Sequence, residues 1–228
     1  MIKYLTQQVT INPGETKLVE FMIPPGMFPY AFLSNEHLIK SIRTGSGDVL
    51  LKNVVNSLYG SRYRHYDFLF KIPPVSSNRI IFEVKRFSGT YPSYVTLVLS
   101  SKKTDENFEY KSIYDILPVN TTQKEFFVDF GDRVPKYFLY ASYDGDITDI
   151  IFKSFSGMEV LRIKDSNILP LIGKDFHTGF YLPEEAQLKR FKLIMKLRFP
   201  VQYQHNWFNA LFVTFPKEEK DMVCEVKH

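Results

Sequence analysis

Apolar and polar residues alternate along most of this chain in short runs, each bounded by Gly, Pro, Asn or Ser. Leu18, Glu20 and Met22 interleave with Val19, Phe21 and Ile23, the period of two expected of a half-buried strand. Asn12-Pro13-Gly14 precedes that run and Pro24-Pro25-Gly26 ends it, both turn signals. Residues 30–33, 38–43, 67–72, 79–87 and 94–100 read as further strands. Gly45-Ser46-Gly47, Pro73-Pro74, Ser88-Gly89 and Pro92 separate them, a spacing that suits antiparallel strands in a sandwich or barrel. One stretch departs from the pattern. Leu51, Val54, Val55 and Leu58 fall at i, i+3, i+4 and i+7 between Asp48 and Gly60. That spacing predicts a short amphipathic helix with a capped start and a glycine stop.

The second half repeats the first in order. Leu18-Val19-Glu20-Phe21 matches Phe127-Val128-Asp129-Phe130, and each follows a polar turn, Asn12-Pro13-Gly14-Glu15 or Asn120-Thr121-Thr122-Gln123. Tyr30-Ala31-Phe32-Leu33 is echoed by Tyr137-Phe138-Leu139-Tyr140, Ser46-Gly47 by Ser156-Gly157, and Val49-Leu50 by Val160-Leu161. Leu58-Tyr59-Gly60 answers to Leu171-Ile172-Gly173, residues 82–87 to 194–199, and 94–99 to 210–215. The expected fold is therefore all-β: two tandem antiparallel β-sandwiches of jelly-roll type, with about eight strands each, an arrangement that protects most strand edges. Each would carry one short helix, over residues 48–60 and 165–173. The divisions read as a first sandwich over residues 1–103, a connector over 104–117, a second sandwich over 118–216 and a charged tail over 217–228. Within the connector, residues 108–117 fit either a strand or a single helical turn.

Composition agrees with strands. The 21 Phe and 14 Tyr favour sheets, and a chain 44% hydrophobic can offset its ordering entropy. The net charge of +4 is spread among 29 basic and 25 acidic residues, without the dense basic stripe of a nucleic-acid reader. A lone cysteine, Cys224, cannot form an internal disulfide. The N-terminal residues lack the apolar stretch of a signal peptide, and no run approaches the roughly 18 apolar residues of a membrane span. A soluble protein made in a reducing cytoplasm is expected.

Candidate chemistry is sparse. His37, His65, His177, His205 and His228 form no i, i+4 pair and no HExxH motif. No GxSxG elbow or phosphate-binding glycine loop occurs. Asp144-Gly145-Asp146 could begin a calcium loop but lacks the remaining carboxylates, so a hairpin turn is the simpler reading. No catalytic residue, cofactor site or metal site is expected. Two clusters are candidate interfaces instead. Arg62-Tyr63-Arg64-His65-Tyr66 combines residue types enriched at protein interfaces, although it also fits a plain solvated loop or a stacking surface for bases or sugars. Trp207, the only tryptophan, could be an interface anchor, a sugar platform or a core aromatic at a loop edge.

Tandem jelly rolls in one chain resemble the double jelly-roll capsid proteins of tailless, membrane-containing viruses and phages. The paired strand segments above carry the resemblance, together with the short helix expected in each half, over residues 48–60 and 165–173. It implies a non-enzymatic virion structural protein, a major capsid protein made in the host cytoplasm. Three chains with two similar units each would form a ring of pseudo-sixfold symmetry that tiles a shell. Implied partners are further copies of the chain and other virion proteins, with acidic lipid or nucleic acid as possible contacts of a mildly basic inner surface. Two other readings stay open: an accessory virion protein, such as a capsid decoration or tail component, and a carbohydrate-binding β-sandwich module. A cupin-type enzyme would need clustered His and Glu ligands that the sequence does not offer.

Overall fold

The computed structural model describes residues 1–34, 37–55, 70–86, 93–103, 106–143, 146–164, 180–204 and 206–217. In the first half the alternating runs become β1 (Ile2–Val9), β2 (Thr16–Met22), β3 (Phe28–Ser34), β4 (His37–Thr44), β5 (Val49–Val55), β6 (Phe70–Lys71), β7 (Arg79–Arg86) and β8 (Ser93–Ser100). The second half contains β9 (Glu109–Ile116), β10 (Gln123–Asp129), β11 (Arg133–Tyr143), β12 (Ile147–Lys153), β13 (Glu159–Lys164), β14 (Phe180–Tyr181), β15 (Arg190–Leu197) and β16 (Trp207–Pro216). All pairings are antiparallel. The sheet orders are β1-β8-β3-β6 and β2-β7-β4-β5, then β9-β16-β11-β14 and β10-β15-β12-β13. Replacing each strand of the first half by the one eight places later reproduces the second half. Each half is one jelly roll.

Strand alternation builds each core. In the first sandwich Val19, Phe21, Ile42, Ile80 and Phe82 meet Phe32, Val95, Leu97 and Leu99 from the facing sheet. In the second, Phe126, Val128, Phe152, Phe191 and Leu193 meet Phe138, Phe208, Ala210 and Phe212. The second core is the more aromatic. Phe212 contacts Phe130, Phe138, Phe152 and Phe191 at centroid distances of 5.5, 5.0, 6.1 and 5.8 Å. Each fully buried side chain of this size contributes about 1.5–3 kcal/mol, and edge or offset ring pairs add about 0.5–1.5 kcal/mol.

The repeat extends to irregular details. The turn Thr44–Asp48 closes with Gly47 N–H donating to Thr44 O (3.0 Å) and Thr44 N–H to Asp48 O (2.9 Å). The turn Ser154–Met158 closes with Gly157 N–H to Ser154 O (3.0 Å) and Ser154 N–H to Met158 O (2.8 Å). Gly47 and Gly157 sit at φ of 99° and 89°, which only glycine adopts freely. In both halves the fourth and fifth strands pair through a β-bulge, between Ile42 and Arg43 or between Phe152 and Lys153. Another follows Pro29 in β3 and Pro135 in β11, where a missing N–H is tolerated.

The structure also shifts several sequence matches. Buried positions align Val19 with Phe126 and Phe21 with Val128, two residues from the sequence match. A slip of two keeps every side chain on its own face, so the hydrophobic pattern could not detect it. The match of 82–87 to 194–199 is one residue out, since Phe82 and Val84 correspond to the core residues Leu193 and Met195. The match of 94–99 to 210–215 is out of phase in the same way, since Ala210 and Phe212 face the core as Val95 and Leu97 do.

The helix expected over residues 48–60 is not formed where the chain is described: residues 49–55 are β5. The positive φ of Asn53 (49°), between Leu51 and Val54, interrupts the regular strand conformation within the spacing that read as helical. Residues 165–173, expected as the second helix, lie outside the described residues. Within the stretch read as connector, Glu109–Ile116 is strand β9, paired along its length with β16. It is the first strand of the second sandwich. Its counterpart β1 escaped the pattern reading because both of its faces carry polar residues, as an edge strand's do.

Candidate assembly surface

The outer face of β9-β16-β11 is covered by the first sandwich. Alternate residues of β16 point to different cores: Phe208, Ala210 and Phe212 belong to the second, Leu211 and Val213 to the first. Phe108, Leu139 and the half-buried Tyr110 and Tyr137 join that first core from the same side. Eight consecutive residues of β16 are therefore buried, as expected when apolar layers cover both faces of a sheet.

Polar contacts fix the register of this seam. Asn209 Nδ2 donates to Asn53 O at 2.9 Å and to Ile113 O at 3.0 Å, and Ser112 Oγ donates to Lys52 O at 2.5 Å. The edge strand β5 of one sandwich thus lies against the edge strand β9 of the other. Trp207 packs on Leu38 from the first sandwich and beside Tyr114. Each sandwich also holds the connector: Lys71 pairs with Glu106 at 3.4 Å, and Arg133 Nη2 donates to Asn107 O at 3.1 Å. Burial in the seam, and then the nearby Glu106 charge, push the Tyr110 hydroxyl pKa well above its ordinary value. A groove of about 790 Å³ remains open along the seam, lined by residues 49–53 of β5, Pro73, Pro74, Lys103 and residues 107–112.

Of the residues singled out in the sequence, Arg62, Tyr63, Arg64, His65 and Tyr66 lie outside the described residues, as do His65's counterpart His177 and the Asp144-Gly145 turn. Trp207 is only 7% exposed, so it offers no open ring for a sugar. Among the described residues no three His, Cys, Asp or Glu side chains converge as a metal site, and no helix is long and apolar enough to cross a membrane. Sequence reading missed Ser112, Asn209, Phe108 and Leu211. The long apolar run at 207–213 was the available signal, since a strand with one wet face should alternate.

No protein-family description matches the chain, and no curated protein matches it by sequence. Solved structures do match by fold. The major capsid protein P2 from bacteriophage PM2 aligns with a TM-score of 0.53 at 11% identity, covering 96% of this chain and 99% of P2. A chain from the atomic structure of Sulfolobus turreted icosahedral virus aligns with a TM-score of 0.50 at 11% identity, covering 99% of this chain and 94% of that one. The architecture is that of the double jelly-roll capsid proteins.

Proposed function

We propose that this protein is a virion structural protein: a major capsid protein that assembles as homotrimers into pseudo-hexagonal building blocks of a shell. The observation that carries the reading is the seam. It joins two similar jelly rolls through different surfaces, the fifth-strand edge of one and the first-strand face of the other. A contact between unlike surfaces leaves one complementary surface free at each end, which is the requirement for a closed ring. The full-chain fold match to a phage major capsid protein supports the same reading. The mechanism is assembly by shape and buried area, with self and other virion proteins as partners and the virion as location.

Light scattering after size exclusion, followed by negative-stain imaging, tests it. Trimers that image as six-lobed rings are expected. Monomers across a range of salt and protein concentration would overturn the reading.

A further inference from the structure

Along β1 the first sandwich exposes positions whose counterparts in the second sandwich lie in the seam, while Val98, the counterpart of Val213, is itself buried. Ile11 and Leu117 are both buried, and each precedes a four-residue turn whose third residue has positive φ, Gly14 at 86° and Asn120 at 68°. Counting back from them superposes Ile2 on Phe108, Tyr4 on Tyr110 and Thr6 on Ser112. The sheet register agrees: Tyr4 lies opposite Val98, and Tyr110 opposite Val213. Exposure differs sharply. Phe108 is 1% exposed, whereas Ile2 and Tyr4 are 51% and 63% exposed.

The other half of the seam is also present twice. Through their common bulge, Leu51 and Lys52 of β5 correspond to Leu161 and Arg162 of β13. The burial of the two strands agrees position by position from Val49 and Glu159 onward, except that Leu51 is buried and Leu161 only half-buried. Leu51 belongs to the first core and also lines the groove along the seam. β13 is the edge of its sheet, and no described strand pairs with its outer side. A strand edge left without a described partner strand is a surface on which a second chain can dock.

We propose that the β13 edge of one chain docks on the β1 face of a second copy, in the geometry that β5 and β9 adopt within the chain. This rests on the ring reading above and assigns its contact surface. Thr6 stands where Ser112 does; its hydroxyl lies 3.0 Å from that of Thr96, and by accepting from Thr96 it would donate to the main-chain oxygen of Arg162, which stands where Lys52 does. Charge supports the pairing. Pro74 and Glu109 line the same groove of the internal seam. Their counterparts are Glu184, one residue after the Pro183 that matches Pro73, and Lys3, one residue before Tyr4. Both are exposed. Opposite charges thus replace a proline and a glutamate at that position of the contact between chains.

Three variants of the full chain test this by light scattering, alongside the thermal midpoint of each. Tyr4→Glu should leave the midpoint unchanged and convert trimers to monomers. Lys3→Glu and Glu184→Lys should each weaken association at least about tenfold, because each places like charges together. The combined Lys3→Glu/Glu184→Lys chain should recover it. Trimers that survive Tyr4→Glu, or charge reversals without mutual rescue, would overturn this surface while leaving the ring reading intact. A wild-type chain that is monomeric throughout would overturn both.

Discussion

β1 and β9 hold the same place in two copies of one sandwich, yet β9 is mostly half-buried against the other sandwich and β1 is mostly exposed. Their sequences do not announce the difference. Tyr110 and Ser112 are no more apolar than Tyr4 and Thr6. What separates the strands is a neighbour: β5 of the other sandwich lies against β9, and among the described residues β1 has no comparable strand against it beyond its sheet partner β8. An interface between similar modules need not be greasier than open surface; it needs complementary shape and a few placed hydrogen bonds.

Truncations along β16 sharpen that contrast most strongly. Phe212→Ala empties the aromatic centre of the second sandwich and should cost about 3–5 kcal/mol in urea denaturation. Leu211→Ala, its neighbour on the opposite face, should cost about 2–5 kcal/mol, with the loss falling on the coupling between sandwiches. Unfolding should then separate into two transitions, with Trp207 fluorescence reporting the one that opens the seam. A single unchanged transition would place Leu211 outside the coupling.

Smaller changes compare the two equivalent strands directly. Ser112→Ala removes the bond to Lys52 O and should cost about 1 kcal/mol. Thr6→Ala, at the matching open position, removes only a solvent-exposed hydroxyl pair with Thr96 and should change the stability of the isolated chain by less than about 0.5 kcal/mol. Equal effects would erase the distinction between covered and open faces.

The smallest effect concerns the paired hairpin turns. Hydrogen bonds from Ser46 and then Thr44 hold the Asp48 carboxylate below its ordinary pKa of 3.8. A lowered folded-state pKa supports the turn at neutral pH, and the support fades as pH falls below 3.8 and through the folded value. Met158, at the matching position, has no such group. Acid titration followed by NMR should therefore move the Thr44 and Asp48 amides more than those of Ser154 and Met158. Matching shifts in both turns would contradict the assignment.

Much of the fold was legible because a period of two survives wherever one face is wet and the other dry. Leu18–Ile23 reads correctly for that reason. The alternation failed where the chain departs from a regular strand: the positive φ at Asn53 falls inside the spacing that read as a helix, and β1, polar on both faces, did not stand out. The candidate surface was less legible still. Trp207 drew notice as a rare residue, but its role follows from Leu38, which lies far from it in sequence.

The sequence by itself determined the two jelly rolls, their order and their core faces, because alternation, turn glycines and bulge prolines act over a few residues. Only the tertiary structure decided which sandwich face is covered. That depends on β5 and β9 meeting across dozens of residues, and a side chain carries no mark of the surface that will come to lie against it.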